Sequence, residues 1–340
     1  MGGHVRGTTG DPRATAARAA LARPSTAVLL LLLAATALLC AAGPAAAAPD
    51  KDWLHVLQVV ADLNADPPDV PAVYLLGGSA ARECSVDDAT WSAQVARRGV
   101  VPIFACNLAS KHRSFALDLA LVRTLPNVPT VVFIGVNLGR FNHGESHPVV
   151  ELPPRAPLPA GYQLHHYGVD DVRSVARKRD QLEDWVTRRY PVFRERYAYN
   201  FGVLAQLIVE CKRRGQHPVL LELPRNMAII GHALDAPLAT YHAGCRALAA
   251  RYDVPWVDFV GKARLTNGDF RDLWHLVEPG RAKWQRLLSD HTVALLRAYG
   301  MDGGEEVSGG DATAGDAAAD DDAAADDAAT EDDAATVATQ

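Results

Sequence analysis

The stretch Ala72-Val-Tyr-Leu-Leu-Gly-Gly-Ser79 places five largely apolar residues directly before two glycines and a serine. An unbroken apolar run of this length predicts a β-strand that the protein covers on both faces, because a half-exposed strand alternates polar and apolar side chains. The paired glycines predict a tight turn at the end of the strand. The sequence therefore places Ser79 at the carboxyl end of a buried strand.

Four further runs of the same kind follow along the chain, and helical stretches separate them. The runs cover residues 100–105, 130–134, 218–222 and 254–258, and the helical stretches cover 87–98, 115–125, 197–214, 236–252 and 279–299. Strands that alternate with helices indicate a parallel sheet. We therefore predict a three-layer α/β/α fold with a five-stranded, flavodoxin-like doubly wound sheet, in which ligands bind at the carboxyl ends of the strands.

The first 48 residues have the composition of a secretory signal peptide. Four arginines and one aspartate precede an apolar run over residues 28–42, and small residues follow it up to Ala48. This order of basic, apolar and small-residue regions is typical of a cleaved leader. A retained anchor is the alternative, but the run is short against the ~20 residues that a spanning helix needs. We expect a secreted or periplasmic protein that has no membrane contact after cleavage.

The other end of the chain is an acidic tail. Residues 303–340 carry twelve acidic side chains, no basic ones and no large apolar residue beyond valine, which predicts disorder. Of the net charge of −6, this tail contributes −12 and the leader +3, so residues 49–302 carry +3. That body has the size of one domain and lacks a dense basic block, which argues against nucleic acid as a partner.

Two features of the body are left open by the sequence. Residues 142–171 are rich in proline and histidine without an apolar period, which predicts a long loop over the active edge of the sheet. Four cysteines remain after leader cleavage, namely Cys84, Cys106, Cys211 and Cys245. An even number in an exported protein allows disulfides, and buried free thiols are equally compatible with the pattern.

Polar side chains follow several of the predicted strands. Ser79 follows the first strand, Asn137 follows the third, and Asp272-Leu-Trp-His275 precedes the last helix. Because the carboxyl ends of parallel strands meet at one edge of the sheet, we expect these groups to lie close together. A catalytic serine needs a base, a group that orients the base, and donors for an oxyanion. These residues supply a candidate for each role.

Gly-Gly-Ser79, Gly-Val-Asn137 and Asp272-x-x-His275, in this order on five strands, resemble the motifs of the SGNH/GDSL hydrolases. The resemblance covers the body of the chain from about residue 71 to 298. It implies that Ser79 is the nucleophile, that His275 is its base and that Asp272 orients the imidazole. It also implies that the backbone N–H of Ser79 and the side-chain amide of Asn137 stabilise the oxyanion.

The chain departs from the family pattern at two places. Gly78 stands where the family usually has an aspartate, which is not a member of the triad. The glycine that follows the second strand in the family, and completes the oxyanion hole, has no clear counterpart here. We expect a backbone N–H of Ser110 or Lys111 to take its place.

Other polar residues near the strand ends give weaker predictions. Arg140 and Asn226 lie just past the third and fourth strands, so we expect them to contact substrate, with a surface role as the alternative. Four histidines in or near the long loop do not have the spacing of a metal site. They are His143, His147, His165 and His166. We expect neither a metal nor another cofactor.

These observations predict a secreted serine esterase that hydrolyses an O-acyl ester through an acyl-serine intermediate. Its partner would be an ester-bearing small molecule or an O-acylated glycan. Two alternatives stay open. The first is an O-acyltransferase, in which a sugar hydroxyl resolves the acyl-enzyme. The second is a catalytically silent binding protein on the same scaffold, which the missing oxyanion glycine favours.

Overall fold

The structure, a computed structural model, describes residues 51–99, 101–154 and 171–303. It contains one five-stranded sheet in which every neighbouring pair of strands is parallel. The strands are β1 (Ala72–Leu76), β2 (Phe104–Asn107), β3 (Thr130–Val136), β4 (His217–Glu222) and β5 (Trp256–Val257). Their spatial order, β2-β1-β3-β4-β5, is the flavodoxin-like order. The predicted fold class is confirmed.

The helices that flank the sheet are mostly those the sequence predicts. They are α1 (Lys51–Ala65), α2 (Ser79–Arg82), α3 (Asp88–Ala96), α4 (Phe115–Val122), α5 (Val175–Asp184), α6 (Tyr190–Arg213), α7 (Met227–Ile230), α8 (Asp235–Tyr252) and α9 (Glu278–Ala298). Short 3-10 turns cover Leu138–Asn142 and Asn267–Asp269. α1, α2, α5 and α7 lie outside the stretches that the sequence predicts as helical.

Hydrophobic packing on both faces of the sheet explains why the strands read as continuous apolar runs. All five residues of β1 are buried, and successive side chains point to opposite faces. Tyr74 and Leu76 belong to the core that α1, α4, α6 and α8 cover, whereas Val73 and Leu75 belong to the core under α3 and α9. The protein thus has the three expected layers.

Two strands are shorter than the sequence predicts, and proline is the reason in both cases. β2 begins only at Phe104, after Pro102, and β5 begins at Trp256, after Pro255. A proline has no N–H to donate to the ladder, so it tends to stand at the start of a strand or outside it. The Pro255 carbonyl still accepts a hydrogen bond from the amide of Leu220 at 2.9 Å.

The largest difference from the sequence prediction is a helix that begins more than twenty residues earlier than expected. α5, one turn of π-helix at Trp185–Arg189 and α6 follow one another without a break. Pro191 lies in the first turn of α6, and it lacks the N–H that an α-helix would use there. The wider π turn just before Pro191 accommodates the missing hydrogen bond without ending the helix. Such π turns are frequent at functional sites.

Several predictions fall partly or wholly outside the described residues. These are the leader at 1–48, the acidic tail beyond residue 303, and residues 155–170 of the long loop. The described part of that loop, 143–154, forms neither helix nor strand, and Tyr199 Oη on α6 contacts the backbone of Ser146. Within the described ranges, no helix combines the length and apolarity needed to cross a membrane.

Candidate active site

The turn after β1 brings Ser79 to the carboxyl edge of the sheet as the first residue of α2. Gly77 has a φ of +156°, and a Cβ there would come within 2.5 Å of the Cβ of Ala81. Only glycine therefore fits between β1 and the helix that follows it. At Gly78, by contrast, an added Cβ would meet nothing closer than the Arg113 carbonyl at 3.9 Å.

Ser79, His275 and Asp272 form a hydrogen-bonded chain. Nε2 of His275 lies 2.9 Å from the Ser79 hydroxyl oxygen. Nδ1 of the same ring lies 2.9 Å and 2.8 Å from the two carboxylate oxygens of Asp272. Because a carboxylate only accepts hydrogen bonds, Nδ1 carries the proton and Nε2 presents its lone pair to the serine O–H. This is the arrangement that a serine nucleophile and its base require.

The charge of Asp272 is stabilised by its surroundings. The side chain is nearly buried, and burial alone would raise its pKa. The hydrogen bond and charge of His275 act in the opposite direction, together with the backbone amides of Trp274 and His275, which donate to Oδ1 at 2.9 Å and 3.0 Å. The net result is a pKa of about 2 for Asp272. The carboxylate is therefore ionised at any ordinary pH.

A compact loop between β5 and α9 holds the acid and the base in place. Phe270 and Leu276 pair as an antiparallel bridge, and the amide of Arg271 donates to the carbonyl of His275 at 2.9 Å. From α5, the fully buried Nζ of Lys178 donates to the carbonyls of Asn267 and Phe270 at 2.9 Å and 2.8 Å. A buried ammonium with several acceptors anchors the loop to the helix.

Asn226 belongs to the same support, which corrects its expected substrate contact. Its side chain is fully buried, and its Nδ2 donates to Oδ1 of Asn267 at 2.9 Å and to the carbonyl of Asp272 at 3.2 Å. Its backbone amide donates to the carbonyl of Leu273. Asn226 thus positions the loop that carries Asp272 and His275, and it does not face a substrate.

Two of the expected oxyanion donors are available at the strand ends. Ser79 is the first residue of α2, where a backbone N–H has no acceptor within the helix. Asn137 directly follows β3 and caps the 3-10 turn, and its Oδ1 accepts the backbone N–H of Arg140 at 3.2 Å. This cap occupies the oxygen of the side-chain amide and leaves the NH₂ group as the functional donor. Ser79 and Asn137 line one cavity together with His275.

Ser110 is not the third oxyanion donor, contrary to one of the two predictions. The backbone N–H of Ser110 already donates to the carbonyl of Gly77 at 3.1 Å, and the residue is buried, so it does not serve an oxyanion. Lys111 is the next residue and is exposed. It lines the second cavity beside Ser79. Of the two candidates, Lys111 is the one whose position remains compatible with the role.

Arg140 lines the first cavity beside Ser79, as a substrate contact requires, but its guanidinium is largely bonded inside the protein. It is buried, pairs with Asp118, and donates from Nη1 to the carbonyl of Gly135 at 2.6 Å. Arg113 pairs with the same aspartate at 2.6 Å and donates to the carbonyl of Leu108 at 2.7 Å. The cluster of Arg113, Asp118 and Arg140 thus ties the segment after β2 to the segment after β3, which begins with Asn137.

Sequence reasoning missed this cluster, although one signal pointed to it. Asp118 is the single charged residue of α4, whose other members are Phe, Ala, Leu and Val. A carboxylate within so apolar a helix indicates a buried cationic partner, because an unpaired buried charge is very costly. No comparable signal marks Gln181 and Trp185, which reach the site only because α5 and its π turn cross it.

Two cavities of about 390 Å³ each meet at Ser79 and His275. The first is lined by a mixture of aromatic, amide and basic side chains. These include His112, Asn137, Gln181, Trp185, Arg189 and Trp274. The rings of Trp185 and Trp274 lie 6.5 Å apart. Five of the nine residues that line the second cavity are charged, and they come from the loops after β2 and β5, the end of α2 and the segment before α5.

The histidines of the long loop do not gather at one point in the described part of the chain. His143 lines the first cavity, and burial together with the charge of Arg140 lowers its pKa to about 4, so it is neutral there. His147 lines a different depression beside α4 and α6. His165 and His166 lie outside the described residues. Among the described residues, no group of three or more potential ligands is arranged to hold a metal ion.

The fold and the candidate site agree with the resemblance that the sequence shows. It has a flavodoxin-like α/β/α sheet whose strand ends bring a serine, an asparagine and an Asp-x-x-His pair to one edge. This is the architecture that the resemblance to the SGNH/GDSL hydrolases implies.

Comparison with known proteins adds distant structural similarities. A proposed acylhydrolase from Bacteroides fragilis is 16% identical, with 73% of this chain and 100% of that chain covered and a TM-score of 0.40. A lipase/acylhydrolase from Enterococcus faecalis is 12% identical, with 68% and 97% covered and a TM-score of 0.38. TesA is 14% identical, with 67% and 98% covered and a TM-score of 0.40. Likenesses this distant assign no activity to the chain.

No protein-family model matches the sequence, and no curated protein matches it either.

Proposed function

We propose that this protein is a serine esterase that hydrolyses an O-acyl ester through an acyl-serine intermediate. The observation that carries the proposal is the continuous chain from the Ser79 hydroxyl through both nitrogens of His275 to Asp272, with contacts of 2.8 to 2.9 Å. A histidine held on one side by an ionised carboxylate accepts the serine proton on the other side.

The first half-reaction forms the acyl-enzyme. As the Ser79 oxygen attacks the ester carbonyl carbon, its proton passes to Nε2 of His275. The carbonyl oxygen becomes an oxyanion, which accepts hydrogen bonds from the backbone N–H of Ser79 and the side-chain NH₂ of Asn137. Collapse of the tetrahedral intermediate expels the alcohol, which takes the proton from His275. Asp272 stays ionised and stabilises the imidazolium.

The second half-reaction releases the acid. A water molecule attacks the acyl carbon while His275 accepts its proton. A second oxyanion forms at the same donors, and its collapse breaks the bond to Ser79. The proton returns from His275 to the serine oxygen, and the free acid leaves. Each half-reaction thus returns His275 to its neutral form, and the sum is hydrolysis of one ester bond.

The proposal extends to the substrate and its location. The amide, indole and basic side chains that line the first cavity suit an ester of a polar, hydroxyl-rich alcohol, such as an O-acylated glycan. They suit an ester with a long lipid chain less well. The basic, apolar and small-residue order of residues 1–48 supports an extracytoplasmic location, where such polymers are found. An ester-bearing small molecule fits the same chemistry.

The competing functions differ in what they predict for the same site. In a silent binding protein, no selection would keep Ser79 within 2.9 Å of a correctly oriented His275, so the geometry favours turnover. An O-acyltransferase forms the same acyl-enzyme and passes the acyl group to a hydroxyl. Release of free acid, as opposed to transfer to an added sugar, separates the esterase from the transferase.

The test compares hydrolysis of p-nitrophenyl acetate by the wild type, Ser79→Ala and His275→Ala. His232→Ala serves as a matched control, because His232 is highly exposed on the loop before α8. We expect kcat to fall by about 10⁴ or more in both triad variants and to stay unchanged in the control. Equal rates in all four proteins would sink the assigned triad. If none turns over the ester, labelling of Ser79 by a fluorophosphonate distinguishes a selective enzyme from a silent protein.

A further inference from the structure

The two oxyanion donors of the proposed reaction come from separate loops. Ser79 begins α2 after β1, and Asn137 stands between β3 and the 3-10 turn that follows it. The ladder between β1 and β3 ends at Leu76 and Ile134, so it does not fix the residues beyond. Contacts outside this ladder must therefore hold the Asn137 amide at a set distance from the Ser79 N–H, because oxyanion donors act through preorganised positions.

Arg140 closes the segment that carries Asn137 into one hydrogen-bonded unit. Its backbone N–H donates to Oδ1 of Asn137 at 3.2 Å, which orients the side-chain amide. Its guanidinium reaches back along the chain, and Nη1 donates to the carbonyl of Gly135 at 2.6 Å. The guanidinium also lies over the ring of Phe115, with Cζ 3.9 Å from the ring centroid. A single arginine thus holds both the amide of Asn137 and the backbone two residues before it.

Asp118 on α4 anchors this unit from inside the protein. Its carboxylate pairs with the guanidinium of Arg140, and its Oδ1 lies 2.6 Å from Nε of Arg113. Nε of Arg140 also donates to the backbone carbonyl of Arg113 at 3.4 Å. All three side chains are buried. Contacts between ionised groups are strong and directional, so the carboxylate fixes both arginines relative to each other.

Arg113 connects the same carboxylate to the loop that lies beside Ser79. Nη1 of Arg113 donates to the carbonyl of Leu108, directly after β2, at 2.7 Å. The backbone N–H of Ser110 in this loop donates to the carbonyl of Gly77 at 3.1 Å. The loop after β2 is therefore fixed both to the buried carboxylate and to the turn that carries Ser79. The two halves of the oxyanion hole thus share one anchor.

From these contacts we infer that Arg140 and Asp118 are positioning residues of the oxyanion hole. They hold the side-chain NH₂ of Asn137 at the distance from the Ser79 N–H that the tetrahedral intermediate requires, and they act through Asn137. The inference rests on the proposed function and adds the residues that set the geometry of its transition state. Because the oxyanion develops only as the reaction proceeds, a misplaced amide lowers kcat and leaves KM nearly unchanged.

A double-mutant cycle tests whether Arg140 acts through Asn137. We measure kcat and KM for p-nitrophenyl acetate with the full chain, with Arg140→Gln, with Asn137→Ala and with the two substitutions combined. Arg140→Lys, alone and combined with Asn137→Ala, is the milder change. It keeps a positive charge beside Asp118, which protects the fold, but it lacks the planar fork that reaches Asp118 and Gly135 together.

Arg214→Gln is the matched control for lost stability. Arg214 is half-buried at the end of α6, and its guanidinium donates to the carbonyls of Arg123 and Leu125. It precedes β4, so it lies at the edge of the sheet opposite to the carboxyl ends of the strands. Its loss should lower the melting temperature and leave kcat unchanged.

We expect both Arg140 variants to lower kcat by about tenfold or more at nearly unchanged KM, because small misplacements of a reacting group are this costly. Combined with Asn137→Ala, the same substitutions should change kcat by less than about twofold, since no amide remains to be positioned. Wild-type kcat in both Arg140 variants, or an equal fall with and without the Asn137 amide, would overturn the inference while leaving the esterase in place. A control that loses as much kcat would also overturn it.

Labelling of Ser79 by a fluorophosphonate gives a second readout that needs no turnover. Attack on phosphorus develops negative charge on the phosphonyl oxygen, which uses the same donors. Both Arg140 variants should therefore slow labelling, and only where Asn137 is present. Wild-type labelling rates in both variants overturn the positioning role. A wild-type Ser79 that is neither labelled nor active overturns the proposed function itself, and the positioning role with it.

Discussion

At the scale of single residues, Asn137 combines two roles in one amide group. Its oxygen caps the 3-10 turn by accepting the N–H of Arg140, and its NH₂ group is left as the donor to an oxyanion. Asn137→Asp keeps an oxygen for the cap and removes the donor. We expect kcat to fall by about 100- to 1000-fold with little change in thermal stability.

The measurement is steady-state kinetics beside a melting curve, with Asn137→Ala as the comparison, because that variant loses cap and donor together. Only Asn137→Ala should have a lower melting temperature, because it alone loses the cap, which contributes about 1 kcal/mol of stability. Wild-type kcat in Asn137→Asp would exclude the amide from the oxyanion hole.

The ionisation of Asp272 also predicts how stability responds to acid. Its pKa is lowered from 3.8 to about 2 in the folded protein, so the unfolded chain binds a proton first as the pH falls. The stability that the ionised Asp272 carboxylate contributes is therefore present above about pH 4 and is lost as the pH falls through 2. Between pH 6 and pH 3, the free energy of unfolding of the wild type should fall by about 1 kcal/mol more than that of Asp272→Asn.

Urea unfolding at the two pH values checks this difference, and the exposed Asp180→Asn on α5 is the control. The control should lose as much stability as the wild type. An identical loss in wild type and Asp272→Asn would mean that the native environment does not favour the Asp272 carboxylate.

At the scale of elements, the turn from β1 to α2 decides where Ser79 lies, and its two glycines are not equivalent. A Cβ at Gly77 would come within 2.5 Å of the Cβ of Ala81, whereas a Cβ at Gly78 finds space. We expect Gly77→Ala to destabilise the fold by more than about 1 kcal/mol and Gly78→Ala to leave stability nearly unchanged.

Chemical denaturation of the two variants measures this contrast, and equal effects of both substitutions would contradict it. The result also bears on the departure from the family motif. A tolerated Gly78→Ala would show that the turn accepts a side chain at the position where the family usually has an aspartate.

The helices illustrate what can be predicted at this scale. Residues 87–98, 115–125 and 236–252 are helical close to the predicted limits, because apolar spacing and caps such as Ser114 are local signals. The start of α6 was not predictable in the same way. Pro191 normally marks a boundary, and only the π turn at Trp185–Arg189, packed beside the site, lets the helix continue.

At the scale of the whole molecule, the four described cysteines are free, buried and far from reactive. Burial raises the pKa of each thiol, to about 12 for Cys211. We expect a thiol reagent such as Ellman's to modify none of them within minutes in the native protein, because both access and thiolate are lacking. After denaturation, four thiols should react if residues 1–48 have been removed.

A fifth reactive thiol would be that of Cys40 and would show that the leader is retained. The same assay on exported protein without a reductant therefore tests the thiols and the leader together. Fewer than four thiols after denaturation would indicate a disulfide and contradict the free state of these cysteines.

The sequence by itself determined the five strands, the parallel α/β/α class and the edge at which Ser79, Asn137, Asp272 and His275 meet. Apolar runs and glycine turns are local signals, and parallel strands necessarily bring their carboxyl ends together. The tertiary structure alone decided which polar groups are available. Ser110, Arg140 and Asn226 follow strands and were therefore candidates for the site. Each of them instead makes a hydrogen bond or an ion pair with a distant segment of the chain. The second cavity beside Ser79 likewise exists only because separate segments of the chain converge, and no local pattern of residues encodes that convergence.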